Sequence, residues 1–137
     1  MAETVLETAG LTMRFGGVTA SDNVDFKLQS RELRCLIGPN GAGKSTFLKT
    51  LSGLMAPGKG EIILEDRNID ALPAHRIVEH GLVLVPEGRQ VFADLTVAQN
   101  IELGAYKRKD RPEASELETI LDRFPRLRER MASPAGL

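Results

Sequence analysis

Eight consecutive residues of this 137-residue chain have the types and the spacing needed to hold a chain of phosphates. Residues 38–45 read Gly-Pro-Asn-Gly-Ala-Gly-Lys-Ser, and they fit the P-loop pattern at Gly38, Gly43, Lys44 and Ser45. Glycines let the backbone form a tight concave loop and approach phosphates without Cβ clashes. The lysine of such a loop reaches the β- and γ-phosphates, and the hydroxyl after it can bind Mg²⁺. The octet therefore predicts a site for a nucleoside triphosphate with Mg²⁺.

The residues on either side of the octet predict the elements that must position it. Residues 33–37 (Leu-Arg-Cys-Leu-Ile) predict a short buried strand, and residues 45–54 predict a helix with Gly53 near its end. Strand, glycine-rich loop and helix is the setting that a P-loop requires, and it disfavours a structural turn whose lysine is only solvated. The order of the glycines does not fit the fingerprint Gly-x-Gly-x-x-Gly, so a Rossmann dehydrogenase is unsupported.

The first two thirds of the chain read as an α/β arrangement. Residues 3–37 are predicted to be rich in strands, and within them residues 24–28 alternate between apolar and polar side chains. Further strands are predicted at residues 62–64 and 82–85, the second of them buried, because each is a short apolar run next to turn-forming residues. Residues 65–68 predict the turn after the first of these runs.

The remaining predicted elements are helices. Residues 73–79 predict a short helix with its proline near the first turn. Thr96 and Gln99 form a capping-box pattern that starts a helix running to about Tyr106. Ser115 and Glu118 repeat that pattern after a charged loop. An apolar stripe at helical spacing follows: Leu117, Ile120, Leu121 and Phe124.

Bulk composition excludes several classes of function. The chain is 42% hydrophobic and 27% charged, which is globular, and its net charge of −1 provides no basic field for nucleic acid or an anionic membrane. No segment reaches the ~18 apolar residues that span a membrane, and we see no signal peptide. Cys35 is predicted to be a small buried hydrophobe. His75 and His80 have the wrong spacing for a metal pair, so structural or solvated roles are expected.

Beyond the octet, the chain resembles the ATP-binding subunits of ABC transporters, and the resemblance covers all 137 residues. Residues 11–17 (Leu-Thr-Met-Arg-Phe-Gly-Gly) are similar to the family's A-loop, whose aromatic residue stacks on adenine. The resemblance assigns this role to Phe15, and stacking of a planar base on an aromatic ring is physically reasonable. The alternative is that Phe15 packs in the core of the strand-rich part.

A second segment resembles the family's Q-loop region. Residues 85–92 read Val-Pro-Glu-Gly-Arg-Gln-Val-Phe, and Leu95, Thr96, Val97 and Asn100 follow. Most members have glutamine where this chain has Glu87, and the form seen here is similar to the branched-chain amino-acid (urea and short-amide) importer subgroup. Residues 124–130 resemble the helical subdomain of that subgroup. The family's loop contacts Mg²⁺ and the attacking water, and a carboxylate suits the metal. The alternative is a solvated loop residue at position 87.

The resemblance implies an α/β fold: an ABC-type P-loop NTPase core, an N-terminal antiparallel β-subdomain, and the start of a helical subdomain. It places the β-subdomain and an incomplete core in residues 1–95 and the helical subdomain in residues 96–137. It implies ATP and Mg²⁺ as cofactors, catalytic roles for Lys44 and Glu87, and metal ligation by Ser45 and Glu87. The implied nucleotide-binding residues are Phe15, Gly38, Pro39, Asn40, Gly41, Ala42, Gly43, Lys44, Ser45 and Thr46.

The family's later motifs do not occur in these 137 residues: the Leu-Ser-Gly-Gly-Gln signature, the Walker B carboxylates and the switch histidine. The apolar run before Glu87 is not a Walker B strand, because it ends in Pro86 and Glu87 rather than Asp-Glu. Hydrolysis needs a positioned water and a proton acceptor, so we expect ATP turnover near background for this chain alone. We also expect a truncated piece of a longer subunit that is marginally stable, because the strands at 33–37 and 82–85 would expose edges and apolar faces.

The implied function is that of an ATP-binding subunit that energises uptake of branched-chain amino acids or a related small solute. The implied partners are transmembrane permease subunits and a second ATP-binding subunit, without nucleic acid and without direct membrane insertion. The implied location is peripheral, on the cytoplasmic face of the inner or plasma membrane. A nucleotide-binding module without turnover and an ABC protein without a transport role remain alternatives. A P-loop GTPase is unsupported, because its Asp-x-x-Gly and Asn-Lys-x-Asp motifs do not occur.

Overall fold

The protein was analysed as a computed structural model that describes residues 3–15, 18–108, 110 and 113–136, without the side chains of residues 15 and 18. Contacts between Cα atoms divide the chain into two compact units, Met1–Leu84 and Val85–Leu137, and each is described by itself. The predicted division of subdomains between residues 95 and 96 stays a prediction.

An antiparallel sheet forms most of the first unit, as the strand-rich N-terminal sequence predicts. Its strands are β1 (Thr4–Phe15), β2 (Val18–Gln29), β3 (Lys59–Leu64) and β4 (Arg67–Asn68), in the spatial order β2-β1-β3-β4. The long pair β1 and β2 aligns Thr8 with Phe26 and Leu11 with Val24, and it contains several register shifts. The predicted alternation over residues 24–28 is confirmed, because the apolar side chains there are half-buried and the polar ones are exposed.

One face of this sheet is covered by helix α1 (Lys44–Leu51), which brings the end of the octet against the sheet. Phe47 and Leu51 of α1 are buried in the same core cluster as residues of β1 and β3. The ring of Phe47 meets the ring of Phe26 on β2 edge to face, with centroids 5.5 Å apart, a preferred aromatic geometry. The buried hydrophobic residues of this core are Leu6, Leu11, Met13, Phe47, Leu51, Ile62, Leu64, Ile69 and Ile77.

The turn and the short helix predicted after β3 are both confirmed. Glu65 and Asp66 have φ angles of 46° and 62°, the left-handed pair that a two-residue hairpin between antiparallel strands requires. Helix α2 (Ala74–Ile77) begins after Pro73 and continues as a 3₁₀ turn at Val78–His80. These features form as predicted because their signals are local.

The two strands predicted at residues 33–37 and 82–85 do not form, and this part of the prediction is wrong. Both segments are irregular, and 92% of Leu33 and 91% of Ile37 is exposed, while Val83 is also exposed. Cys35 is exposed as well, so the expectation of a buried thiol is wrong. An extended segment becomes a strand only when a neighbour accepts its backbone hydrogen bonds, and no described strand lies beside either segment. The expected exposure of these apolar residues is thereby observed.

The described residues of the second unit form three short helices: α3 (Val97–Gly104), α4 (Ala114–Arg123) and α5 (Pro125–Arg130). The predicted capping box at Thr96 is confirmed, since its side chain accepts from the Gln99 amide and the Gln99 side chain accepts from the Thr96 amide. The predicted cap at Ser115 is wrong. Helix α4 starts one residue before it with Glu113 as N-cap, so Ser115 is already helical and its hydroxyl donates to Glu113.

Helix ends differ from the predictions by a few residues. Helix α1 ends at Leu51 instead of Leu54, because Gly53 takes a left-handed φ of 71°. Helix α3 ends at Gly104 instead of Tyr106. Of the predicted stripe on α4, Leu121 is buried and Leu117 half-buried, whereas Ile120 and Phe124 are exposed. Within the described parts of the chain, no helix has the length and apolar character needed to cross a membrane.

Candidate nucleotide-binding site

The octet forms a tight loop that leads directly into α1. Gly41 and Gly43 have φ angles of 82° and 86°, a conformation that side chains with a Cβ adopt only with strain. The amide of Ala42 donates to the carbonyl of Pro39 at 3.2 Å, and the amide of Phe47 donates to the carbonyl of Gly43 at 2.8 Å. The first bond closes the turn and the second starts the helix, so the loop and the helix form one continuous structure.

Both its backbone conformation and its close contact with β2 require glycine at position 43. A Cβ at position 43 would lie 2.4 Å from the carbonyl oxygen of Ala20 and 2.7 Å from Oγ of Ser21, both on β2. A Cβ carbon does not approach other heavy atoms this closely in real structures, so only glycine lets the end of the loop rest on this strand. At Gly41 an added Cβ would meet nothing within 4 Å. The last glycine of the loop therefore attaches the site to the sheet, and the middle one faces open space.

The Lys44 side chain curls back over the loop. Its Nζ donates to the carbonyl oxygens of Gly38 and Pro39, both at 2.8 Å. The ammonium group is therefore held above the loop concavity by two neutral acceptors. Phosphate oxygens carry negative charge and are stronger acceptors for an ammonium than carbonyls are. A phosphate chain placed in the loop would compete favourably for the same donors, and Lys44 needs no large movement to reach it.

Helix α1 aims its N-terminus at the loop. Backbone N–H groups in the first turn of a helix lack intrahelical acceptors, and the helix dipole favours an anion there. Lys44, Ser45 and Thr46 occupy this first turn. The helix is held against the sheet, because Phe47 and Leu51 are buried in the core cluster that β1 and β3 share. The fixed orientation of α1 keeps the donors directed at the loop.

The residues present fit a nucleotide and a hard divalent metal. The loop offers glycine backbone without Cβ obstruction at Gly41, an ammonium group at Lys44, and a hydroxyl at Ser45, which suits Mg²⁺. No group of three or more His, Cys, Asp or Glu side chains in the described ranges is placed to hold a metal by itself. A metal at this site would therefore depend on the phosphates for much of its coordination, as Mg²⁺ commonly does.

The two remaining predicted site residues are Phe15 and Glu87. The side chain of Phe15 and the whole of residues 16 and 17 lie outside the described residues, so stacking on adenine stays a prediction. Glu87 is exposed and belongs to the second unit. It precedes three residues with left-handed φ angles: Gly88 at 77°, Arg89 at 64° and Gln90 at 36°. Two of them are not glycine, which marks a strained loop.

The sequence analysis did not predict the role of Asn100. The Oδ1 atom of this residue accepts from the amide of Phe92 at 2.9 Å. Its Nδ2 atom donates to the carbonyls of Phe92 and Thr96, both at 3.0 Å. The available signal was an asparagine in the first turn of a capped helix, where short amide side chains bond nearby backbone. The contact of Gly43 with β2 was also missed, because no local pattern encodes which strand a loop touches.

Comparison with known proteins decides the family. The family model described as "ABC transporter" matches residues 21–134 of this chain. The chain belongs to the ABC transporter family.

Several characterised members resemble the chain over its matched part. It is 36% identical over 107 residues to the high-affinity branched-chain amino acid transport ATP-binding protein BraF of Pseudomonas aeruginosa, covering 78% of this chain and 42% of that protein. It is 37% identical over 122 residues to BraG of the same organism, covering 89% and 52%. It is also 42% identical over 105 residues to the ribose import ATP-binding protein RbsA 1 of Rubrobacter xylanophilus, covering 77% and 21%.

Solved structures show that the chain has the fold of an ABC cassette. An ATP-binding subunit of an ABC transporter matches with a TM-score of 0.77 and 28% identity, over 96% of this ABC chain and 54% of that one. The ADP conformation of an ATP-binding cassette matches with a TM-score of 0.73, over 97% and 58%, and at 24% identity it supports the fold alone. The chain thus spans about half the length of the relatives it matches.

Proposed function

We propose that this ABC chain is the nucleotide-binding part of an importer ATPase, which couples MgATP binding and hydrolysis to uptake of a small solute. The observation that carries the proposal is the loop at residues 38–43. It is closed by the Lys44 ammonium, attached to β2 through Gly43 and continued by the N-terminus of α1. A phosphate chain finds donors, positive charge and room in one place.

Branched-chain amino acids or a related small solute are the proposed cargo. The support is the similarity to BraF and BraG, which are named as branched-chain amino acid transport proteins, together with the Q-loop form around Glu87. The chain is also similar to a ribose import protein over a comparable stretch. These similarities therefore support import of a small solute more directly than they support one particular cargo.

Each site residue has a proposed role. Lys44 stabilises the negative charge on the transferred phosphoryl group, and the backbone of residues 38–46 holds the phosphates. Ser45 is the proposed Mg²⁺ ligand of the loop, and Glu87 is a proposed second ligand near the attacking water. Phe15 is proposed to stack on adenine. Ser45 and Glu87 would hold Mg²⁺, which would supply positive charge to neutralise the phosphates.

Permease subunits and a second ATP-binding subunit are the proposed partners, with the assembly peripheral on the cytoplasmic face of the membrane. The support is that the relatives are transport ATP-binding proteins by name. An ABC protein without a transport role is the alternative, and it is distinguished by whether the chain copurifies with a membrane permease when the two are expressed together.

Nucleotide binding without turnover is the second candidate function. The observation that favours it is the same loop, whose Lys44 ammonium and open space at Gly41 serve the binding of phosphates whether or not turnover follows. The test measures ATP binding and phosphate release on the same preparation. Binding with release no faster than that of Lys44→Ala supports a binding module. Release well above that control supports an enzyme, and the absence of both overturns the proposal.

A further inference from the structure

We propose that Asn100 is a positioning residue for Glu87, acting through the loop between them. This inference rests on the proposed function, in which Glu87 contributes to the Mg²⁺ site. Both residues lie in the second unit, and the connection between them consists of residues 88–99.

The Asn100 side chain fixes the start of the turn that precedes α3. Its amide accepts from the Phe92 N–H and donates to the Phe92 carbonyl, so both polar groups of one backbone residue are held by one side chain. A second bond to the Thr96 carbonyl at 3.0 Å and a longer one to the Leu95 carbonyl at 3.4 Å tie the same amide to the end of the turn. Asn100 thus holds residues 92–96 as one closed loop.

The opposite side of this turn is fixed by the end of the described chain. The amide of Ala135 donates to the Leu95 carbonyl at 2.9 Å, and the amide of Gly136 donates to the Ala93 carbonyl at 3.2 Å. Thr96 and Pro134 form an antiparallel bridge. The turn that contains Phe92 is therefore held both by Asn100 of α3 and by residues 134–136.

The four residues between Phe92 and Glu87 are too constrained to act as a loose tether. Gly88, Arg89 and Gln90 all have left-handed φ angles, and the Gln90 amide donates to the Gly88 carbonyl at 2.7 Å. Non-glycine residues keep such conformations only when their surroundings enforce them, at a cost of about 1 kcal/mol or more each. Releasing Phe92 would let this strain relax, and the carboxylate of Glu87 would lose its preferred direction.

The test measures how Mg²⁺ tightens the binding of a fluorescent ATP analogue to the full chain. Residues that orient a metal ligand typically contribute 10–100-fold to metal affinity. We expect Asn100→Ala to raise the Mg²⁺ concentration for half-maximal tightening by about tenfold. Asn100→Asp keeps the Oδ1 acceptor for the Phe92 amide, and it should recover part of the loss. Glu87→Ala should raise the same concentration at least as much as Asn100→Ala.

A double-mutant cycle distinguishes positioning from an independent effect. If Asn100 acts through Glu87, the double variant Asn100→Ala with Glu87→Ala should match Glu87→Ala alone. Gln99→Ala is the matched control. It removes the bond from the Thr96 amide to the Gln99 side chain at the start of α3, and it leaves the bonds to Phe92 in place. The inference is overturned if the two effects add, if Glu87→Ala has no effect, or if Gln99→Ala reproduces the change. If the unmodified chain binds the analogue without dependence on Lys44 or Mg²⁺, the proposed function fails, and the inference fails with it.

Discussion

Glycine at position 43 combines a left-handed backbone conformation with a close approach to β2, and other residues cannot combine the two without strain. Its φ of 86° is left-handed, and its missing side chain leaves room for the carbonyl of Ala20 on β2. Gly41 has a similar φ but open space around it. Substituting Gly41 and Gly43 in turn therefore separates the destabilisation due to the backbone conformation from that due to the contact with β2.

We predict that Gly43→Ala lowers the free energy of unfolding by about 2–5 kcal/mol, the sum of about 1–2 kcal/mol for the left-handed backbone and about 1–3 kcal/mol for overpacking. Gly41→Ala, which pays only the first cost, should lower it by about 1–2 kcal/mol. Urea unfolding followed by circular dichroism measures both. Equal losses in the two variants would show that the loop does not rest on β2.

The P-loop residues themselves were predictable from the sequence, because the spacing of glycine, lysine and serine encodes a local structure. The hydrogen bonds by which Lys44 closes the loop were not predictable, since the acceptors of a flexible ammonium group depend on which carbonyls the fold brings near it. The proposed roles of Phe15 and Glu87 stay predictions. Neither depends on local spacing: one concerns contact with a bound base, and the other concerns contact with a bound metal.

At the scale of elements, most signals confined to a few residues gave correct predictions, with the cap at Ser115 as the exception, and the two strands that need a neighbour did not form. The capping box at Thr96 and the hairpin turn at Glu65 and Asp66 formed because every group involved is within four residues. The strands at 33–37 and 82–85 failed, because an apolar run states a preference for burial without supplying the neighbour that pairs with it.

The two capping patterns offer a direct test at this scale. Thr96→Ala removes a real N-cap, and we expect the free energy of unfolding of the cooperative unit containing α3 to fall by about 1 kcal/mol. Ser115→Ala changes a residue that is inside α4, and we expect a change within about 0.5 kcal/mol. Hydrogen exchange of the α3 and α4 amides, read by mass spectrometry, gives both values. A loss at Ser115 as large as that at Thr96 would contradict the observed start of α4 at Ala114.

At the scale of the whole molecule, apolar surface is divided between a closed core and open segments. Leu11, Ile62 and Ile77 are almost completely buried, whereas Leu33 and Ile37 are almost completely exposed. Contiguous exposed apolar segments with unpaired backbone are prone to association. The chain should therefore owe its stability to the sheet and α1 and its tendency to aggregate to the open segments.

We predict that replacing both Leu33 and Ile37 with lysine leaves the free energy of unfolding within about 1 kcal/mol, because neither side chain has core contacts to lose. The same double variant should remain monomeric at higher concentrations than the unmodified chain. Ile62→Ala, in contrast, should cost about 2–5 kcal/mol through the lost transfer energy and the cavity. Denaturant unfolding and light scattering measure the two properties. A large stability loss in the lysine variant would mean that these residues are packed after all.

The most direct test of nucleotide binding is a thermal melt of the chain with and without MgATP, beside Lys44→Ala and Lys49→Ala. Lys49 is an exposed residue in the last turn of the same helix, so it controls for the loss of one charge. At a ligand concentration of about 100 times Kd, binding adds about 2.7 kcal/mol, a rise in Tm of roughly 8 °C for a chain of this size. We predict this rise for the unmodified chain and Lys49→Ala and none for Lys44→Ala. A melt that MgATP does not shift, or that shifts equally in Lys44→Ala, would contradict the proposal that residues 38–46 hold the phosphates.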